Sequence, residues 1–485
     1  VLFRSGRVAA EATRWRDAWT SYSVVRKTWA YAADQRPSTH PVAATGVADT
    51  GAALANFDGI SYAKGSAVLR QLVALIGDDA FWSGLRAYFE AHAYGNATLA
   101  DLLAALSASS GRDLTGWARL WLRGSQVNTL RPEVELTPDG RYARVDVVQS
   151  APASHPTLRP HRIRVGRYAE RGDGVELVDQ FQVELDPGRD GGRTAVPGLV
   201  GATPGLLLLN DGDLTYAKLR LEPAAADQLP TLLPRVRDPL ARALLWTSAW
   251  DACRDAEVLA DRFVSLAAAA LPAETHVGVF DAVLEWARDV AVGRYLPPDA
   301  RAAAREALAG ACRRVIEAGD ARLLSAARGL VRCAAVADVP WLRRWLDGGA
   351  PSGLAVDAEL RWLITLRLAV LGAVDEAGIA AEAERDRSAR GAQEATRCRA
   401  ALPDPAAKEH AWRLVMRDRE LSNRLIVAAA NGFWQPEHAH LTAGYEARYF
   451  DEIDVTAGWR SEQMLAAVAA AARSEEHTSE LQSLT

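Results

Sequence analysis

The chain lacks the motifs that would point directly to a reaction. It has no HExxH segment, in which two histidines on one helical face bind zinc and the glutamate serves as base. It also has no GxSxG, no Walker loop and no GxGxxG in a βαβ setting. Cysteine is scarce and shows no zinc-ligand spacing. Together with the missing HExxH, this leads us to expect no metal ligands in this chain. We expect the thiols to be reduced and buried. The four cysteines are Cys253, Cys312, Cys333 and Cys398.

Nothing in the composition predicts a membrane or nucleic-acid partner. No uninterrupted apolar run reaches the ~18 residues that a transmembrane helix needs. The formal net charge of -5 gives no reason to expect nucleic acid or an anionic membrane surface. A hydrophobic content of 49% and a charged content of 24% are those of a soluble globular protein. We expect a cytoplasmic protein of roughly three domains at ~150 residues each.

Both ends of the chain look foreign. The head Val1–Ser5 (VLFRS) and the tail Arg473–Ser483 (RSEEHTSELQS) read like in-frame translations of sequencing adapters. A natural first strand and a natural polar tail are the alternatives. Two adapter-like ends on one chain predict a gene fragment, with residues 1–5 and 473–485 as artefacts to be excluded from fold reasoning.

The remaining chain divides into three segments by the period of its apolar residues. Residues 6–130 show helical spacing, with tryptophans and other apolar side chains recurring every three or four positions. Residues 131–223 alternate apolar and polar side chains, with turn pairs between the runs, which predicts about seven short strands. Residues 224–472 are helical again, with breaks at proline and glycine. The predicted class is a multidomain α+β protein.

The stretch from Asn56 to Leu72, NFDGISYAKGSAVLRQL, is the most informative part of the chain. Val68, Leu72 and Ile76 recur every four residues, which predicts an amphipathic helix. Tyr62 is expected just ahead of this helix, and Lys64, Gly65 and Ser66 at its entry. A lone tyrosine is more often a core residue with a satisfied hydroxyl.

The motif around Tyr62, with His40-Pro41 before it and Trp117 and Trp121 after it, resembles the aminopeptidase N family of zinc metallopeptidases, the gluzincins, of actinobacterial type. The resemblance implies that Tyr62 donates a hydrogen bond to the tetrahedral intermediate. It also implies one zinc ion held by two His and one Glu, a Glu base and an amine-binding motif, all upstream of Val1. The segment Asn431–Ile453 resembles the end of the family's C-terminal domain.

The same resemblance implies a domain order. Residues 6–130 would be the C-terminal helical part of a thermolysin-like catalytic domain, residues 131–223 a β-sandwich, and residues 224–472 an α-helical, solenoid-like domain of HEAT or armadillo type. The implied function is a fragment of a zinc-dependent aminopeptidase that acts on peptide N-termini, inactive by itself because the zinc site is missing. The alternative from another class is a noncatalytic α-solenoid scaffold that binds protein partners.

Other polar residues near these motifs have structural interpretations. The nearest cluster of possible ligands is Glu437, His438 and His440, but residues two apart on a helix point to different sides. We interpret this cluster as a solvated helix start and His40 as part of a structural loop. Lys64 is expected to be solvated or salt-bridged. Gly65 is expected to allow close helix packing or an unusual backbone angle.

Overall fold

The computed structural model describes residues 2–44, 49–51 and 56–472. The chain forms two compact units, Val1–Trp286 and Ala287–Thr485. The first unit contains every described strand together with helices before and after them, and the second is helical, so the predicted mixed α+β class is confirmed. Residues 473–485, predicted to be an artefact, lie outside the described residues. The boundaries of the predicted domains stay predictions.

The first segment is built from helices, two of which contain π-helical turns. We call the π turn and the α turns around the sequence motif together the tyrosine helix, which comprises Ile60–Lys64 and Gly65–Ile76. An earlier helix runs as α over Ala18–Ser21, as π over Tyr22–Lys27 and as α over Thr28–Asp34. The remaining helices of this segment are Leu2–Ala12, Asp78–Ala91, Leu99–Ser110 and Thr115–Trp121.

At two helix starts in this segment the sequence predicts capping residues: a capping box of Thr98 with Asp101, and a cap at Asp78 or Asp79. The capping box of Thr98 and Asp101 is confirmed, because the Thr98 N–H donates to Asp101 Oδ2 at 2.7 Å and the Asp101 N–H donates to Thr98 Oγ1 at 3.3 Å. The cap predicted for Asp78 or Asp79 is wrong. Gly77, with φ +86°, occupies that N-cap position, because a glycine adopts this backbone angle without steric cost.

The alternating segment forms two small sheets. One has the strand order β5-β2-β1-β7 and the other the order β4-β3-β6. All pairs are antiparallel except β1 with β7, which is parallel. The predicted alternation is confirmed in β3, where His161, Ile163 and Val165 are buried and Arg164 is exposed. The strands are β1 (Asn128–Leu136), β2 (Tyr142–Ser150), β3 (His161–Arg171), β4 (Gly174–Leu185), β5 (Arg193–Ala195), β6 (Leu206–Leu209) and β7 (Ala217–Leu219).

Helices make up the rest of the described chain. Within the first unit they are Pro187–Asp190, Pro223–Asp227, Leu229–Leu232, Pro239–Arg254, Ala260–Ala270 and Val277–Glu285, and the π-helix Trp286–Tyr295 crosses the unit boundary. Short 3₁₀ turns occur at Pro197–Leu199, Leu233–Arg235, Leu271–Ala273, Val336–Asp338 and Pro436–His438. The second unit contains Pro298–Ala318, Leu323–Cys333, Val339–Leu346, Ala358–Val370, Glu376–Arg385, Ala389–Ala400, Pro405–Met416, Asn423–Phe433, Ala439–Thr442, Tyr445–Ala457 and Glu462–Ala472.

The predicted state of the thiols is confirmed, since all four cysteines are free and buried. No helix within residues 2–44, 49–51 and 56–472 is long and apolar enough to cross a membrane. The chain has only four lysines, and all of them are buried: Lys27, Lys64, Lys218 and Lys408. Buried lysines are rare unless they are paired, so each of these marks a place where packing depends on a polar contact.

Lys408 is the buried lysine of the second unit. Its side chain is fully buried, and its ammonium donates to the backbone carbonyls of Ala400 at 2.7 Å and Phe433 at 2.8 Å. Burial lowers the pKa of Lys408 to about 8. These contacts join three helices of this unit around one ammonium group.

We expect this lysine to make stability depend on pH. An unfolded lysine has a pKa of about 10.4, so the unfolded state binds more protons than the folded state between about pH 8 and pH 10.4. The free energy of unfolding of the wild type should therefore rise with pH through this window. Lys408→Met removes that contribution, so its stability relative to wild type should fall by up to about 3 kcal/mol from pH 7 to pH 10. Urea unfolding across this pH range measures it, and a difference independent of pH would contradict it.

Candidate functional site

Tyr62 lies inside the π turn that begins the tyrosine helix, not ahead of the helix as the sequence predicted. The reason is Asp58, whose Oδ1 accepts hydrogen bonds from the N–H groups of Ile60 at 2.8 Å and Ser61 at 3.1 Å. The Tyr62 N–H donates to the Asp58 carbonyl at 3.2 Å. Asp58 thereby satisfies the free donors of the first turn and starts the helix earlier than expected. π-helical turns are frequent at functional sites.

Residues distant in sequence hold this turn in place. His40 contacts Asp58 Oδ2 through Nε2 at 3.2 Å and the Pro41 carbonyl through Nδ1 at 2.9 Å, so both ring nitrogens have structural partners. The Tyr22 hydroxyl donates to the Ala63 carbonyl at 2.6 Å, and burial raises the Tyr22 pKa far above its ordinary value. These contacts agree with the structural role expected for His40.

The close backbone approach occurs at Gly59 rather than at Gly65. A Cβ atom on Gly59 would lie 2.8 Å from the Trp29 carbonyl oxygen, a distance that real Cβ atoms essentially never show. Gly65 has an ordinary helical φ of -54°, and a Cβ atom there would lie 3.4 Å from Val42 Cγ1. The unusual backbone angle expected at Gly65 is therefore wrong. The absent side chain of Gly59 is what lets the tyrosine turn approach the neighbouring helix.

Lys64, two residues after the tyrosine, is salt-bridged and fully buried. Its ammonium donates to Asp34 Oδ2 at 2.8 Å and to the carbonyl oxygens of Gly124 at 3.2 Å and Gln126 at 3.3 Å. Burial lowers the pKa of Lys64 to about 8, and Asp34 opposes this shift. Of the two interpretations left open for Lys64, the ion pair is confirmed.

The Asp34 carboxylate collects hydrogen bonds from four separate segments, which we call the Asp34 cluster. Oδ2 accepts from Lys64 and from the Tyr216 hydroxyl at 3.2 Å. Oδ1 accepts from the Gln126 N–H at 2.8 Å and the Thr39 hydroxyl at 2.7 Å. Burial and the Asp34 charge raise the Tyr216 pKa well above its ordinary value, so that phenol stays protonated as a donor. The cluster fixes the tyrosine helix against the strands.

A cavity of about 300 Å³ adjoins Tyr62. Apart from Tyr62 and the hydroxyls of Ser61 and Ser66, the side chains that line it are apolar, among them Leu69 and Trp117. Tyr62 itself is half-buried, and its ring packs 5.7 Å from the ring of Phe57. The cavity therefore presents one phenol on an otherwise largely apolar wall, the composition that small-molecule and peptide sites generally have.

The Tyr62 hydroxyl makes no hydrogen bond to any described residue, in contrast to the buried tyrosines. The hydroxyls of Tyr22, Tyr31, Tyr142, Tyr168 and Tyr216 all donate to a carbonyl or carboxylate. Tyr62 therefore differs from these five tyrosines, because none of the described residues accepts its phenolic proton.

The part of the chain that the structure describes contains no cluster of possible metal ligands. Among residues 2–44, 49–51 and 56–472, no three His, Cys, Asp or Glu side chains lie close enough together to hold a metal ion. The helix start predicted after Pro436 is observed as a 3₁₀ turn, and His440 is exposed as expected, but Glu437 and His438 are not solvated. His438 is buried and contacts the Val370 carbonyl through Nε2 at 2.8 Å, while Glu437 pairs with Arg305 at 3.0 Å and Arg367 at 2.8 Å.

Two residues that shape the site were not singled out from the sequence. Asp58 lies in the FDG segment two residues before the π turn, where Asp is a common helix N-cap, so local sequence carried a signal for it. Asp34 carried no such signal, because its partners lie 5 to 182 residues away along the chain.

His161, buried between Gln149, Thr215 and Trp121, joins the last helix of the first segment to β3. Burial lowers its pKa to about 3, so it is neutral.

Comparison with known proteins agrees with this arrangement. A family model described as the peptidase family M1 domain matches residues 3–121, and one described as the ERAP1-like C-terminal domain matches residues 206–484. "Aminopeptidase N" of Streptomyces lividans is 42% identical over 475 residues, covering 96% of this chain and 55% of that protein. "Aminopeptidase N" of Lactococcus lactis subsp. lactis is 48% identical over 63 residues, which cover 13% of this chain and 7% of that protein.

The two family models match the helical segment with the tyrosine turn and the helical C-terminal region, which places the chain in the class of M1-type peptidase sequences. The chain belongs to peptidase family M1, the aminopeptidase N family of metallo-aminopeptidases. It spans about half the length of its Streptomyces relative.

We expect the Lys64–Asp34 pair to be required for stability. Lys64→Met leaves the Asp34 carboxylate buried without its countercharge, which costs about 3–5 kcal/mol in the free energy of unfolding. Arg112→Gln is the control, because it breaks an ion pair with Glu184 that is 3.5 Å long and exposed on both sides. An exposed pair contributes about 0–1 kcal/mol. Urea unfolding followed by tryptophan fluorescence compares the two variants, and equal losses would contradict the prediction.

Proposed function

We propose that this chain is part of a zinc-dependent aminopeptidase that releases N-terminal amino acids from peptides, and that Tyr62 stabilises the tetrahedral intermediate. The observation that supports the proposal is that Tyr62 lines a cavity, lies on a turn held from several sides, and has a hydroxyl without a partner among the described residues. Family membership supports the reaction class.

The chemistry of peptide hydrolysis explains why a phenol suits this position. Attack on the scissile carbonyl develops negative charge on its oxygen, and a donor already aimed at that oxygen stabilises the transition state by a few kcal/mol. A phenol is neutral near pH 7 and donates one proton. Asp58 and Lys64 anchor the turn on both sides of Tyr62 before the substrate arrives. Little conformational freedom of this turn is therefore left to lose during the reaction.

M1 enzymes in general use zinc, which lowers the pKa of a bound water enough for attack at neutral pH. The residues described in this chain do not fit a zinc site, because no group of three possible ligands lies together among them. The proposal for this chain is therefore limited to the donor role of Tyr62, and the chain by itself should be inactive.

The family supports a finer architecture as part of the same proposal. Residues 6–130 correspond to the helical end of a thermolysin-like catalytic domain, residues 131–223 to a β-sandwich, and residues 224–472 to a solenoid-like helical domain. Peptides are the proposed partners and the cytoplasm the proposed compartment, to which four free, buried thiols are suited. No observation favours the alternative of a noncatalytic scaffold, which remains a separate hypothesis.

We expect the purified chain to contain less than stoichiometric zinc and to leave amino-acid anilides uncleaved. The physical reason is that HExxH is absent from its sequence and no other ligand group is gathered in the described structure. Metal analysis after dialysis against zinc, together with an anilide assay, checks both statements. The Streptomyces aminopeptidase N serves as the positive control. Stoichiometric zinc in the chain would refute the prediction.

A separate prediction concerns the tyrosine. In a full-length enzyme that joins this chain to an M1 zinc site, Tyr62→Phe should lower kcat by about 10²–10³-fold with little change in KM, because the donor acts mainly in the transition state. Tyr88→Phe is the matched control, since that tyrosine lies in the helix Asp78–Ala91 and does not line the Tyr62 cavity. Zinc content must be equal in all variants. A Tyr62→Phe enzyme with wild-type kcat would exclude the proposed role.

A further inference from the structure

A second cavity, of about 590 Å³, adjoins the C-terminal half of the tyrosine helix. We call it the arginine cavity, because four arginines line it: Arg7, Arg70, Arg162 and Arg164. Its other walls come from Trp19, from the last residues of the tyrosine helix and from the outer face of β3 and β4. All of these residues belong to the first compact unit.

The carboxylates that line the cavity are already paired with one of its arginines. Arg7 contacts Glu11 at 2.8 Å and also forms an ion pair with Asp78. No carboxylate of the described chain lies within ion-pair distance of Arg162 or Arg164. The Arg162 side chain donates only to the Leu75 carbonyl at 3.1 Å, and the Arg164 guanidinium makes no hydrogen bond or ion pair with a described residue.

Arg70 adds a third guanidinium with incomplete hydrogen bonding. Its Nη2 donates to the Gly212 carbonyl at 2.8 Å, and its guanidinium lies 3.9 Å from the centre of the Trp19 ring. Its Nη1 is buried without an acceptor in the described structure. Asp213 is the carboxylate that attracts it; Asp213 Oδ1 accepts from Lys27, and Asp213 Oδ2 is buried without a hydrogen-bond partner in the described structure. Leaving a buried charged donor unpaired costs free energy that an entering acceptor would offset.

The backbone fixes this gathering of positive charge. Arg162 and Arg164 are two residues apart on β3, so they project from the same face of the sheet. Gln182 of β4 lies opposite Arg164 in the register and also lines the cavity. Burial lowers the pKa of Arg70, the charge of Asp213 opposes this shift, and the smaller effects of the nearby Arg164 and Arg7 charges add to it. Like charges held together in this way repel one another unless an anion lies between them.

We propose that the arginine cavity binds a phosphate group through Arg70, Arg162 and Arg164. Guanidinium groups match phosphate oxygens in a planar, two-pronged geometry, and a tetrahedral anion with several acceptors can accept from three of them at once. A monovalent carboxylate has fewer acceptor positions and less charge. The cavity exceeds the size of a free phosphate ion, so a phosphate carried by a larger molecule also fits. This inference does not depend on the proposed peptidase function.

The test is thermal unfolding of the full chain with inorganic phosphate, against chloride at matched ionic strength. A ligand that binds only the folded state stabilises it, and we expect Tm to rise by about 2–4 °C near saturation. The double variant Arg162→Gln, Arg164→Gln should lose the rise. Arg189→Gln, on the short helix after β4 and outside the cavity lining, should keep it. A rise of equal size in the double variant, or none beyond that with chloride in wild type, would overturn the proposal.

Isothermal titration gives a second measurement that does not depend on unfolding. The wild type should bind inorganic phosphate. The Arg164→Gln variant should bind phosphate at least about tenfold more weakly, which is the change expected from losing one charge-assisted hydrogen bond. Arg164→Gln removes no hydrogen bond or ion pair of the described structure, so it should fold normally. If a phosphorylated peptide or a nucleotide binds more tightly than inorganic phosphate, the site takes a phosphate carried by that larger molecule. If they bind equally, the free phosphate ion is favoured. Acetate that binds as tightly as phosphate would overturn the assignment.

Discussion

The arrangement of the first compact unit depends on the buried carboxylate of Asp34. Its two oxygens accept hydrogen bonds from the tyrosine helix, from the loop after the preceding helix, from the chain entering β1 and from the start of β7. A carboxylate without exposure to water is expensive unless it is paired and hydrogen-bonded, and here every contact also joins a different segment. Because the buried Asp34 carboxylate needs these hydrogen bonds, it also sets the position of the helix that carries Tyr62.

Hydrogen bonds from several segments hold the turn that carries Tyr62 in place. Asp58 caps its N–H groups, Tyr22 binds its carbonyl at Ala63, and Lys64 leads into the Asp34 cluster. The Tyr62 hydroxyl itself has no partner among the described residues, although the backbone on both sides of it is held by hydrogen bonds. Such a held turn suits the donor role that we propose for Tyr62.

Local sequence patterns predicted the elements that depend on neighbours along the chain. The helical period of Val68 and Leu72 and the capping box at Thr98 correspond to observed helices, and period-two alternation located the strands. The exact start of the tyrosine helix was missed because the cap is supplied by Asp58, which precedes the apolar pattern. His438 was wrongly placed in solvent, because its partner, the Val370 carbonyl, is 68 residues away and leaves no trace in local sequence.

The sequence by itself determined the class of structure, which follows from residue periodicity, while Tyr62 became the candidate catalytic residue through the resemblance of its surrounding motif to a known family. Only the tertiary structure decided which described residues that side chain contacts. Whether a phenol is satisfied or available depends on which acceptors the fold brings near it, and whether Lys64 meets water or Asp34 depends on contacts across 30 residues. The convergence of Arg70 with Arg164 has the same origin, since a helix and a strand far apart in sequence form one cavity only after folding.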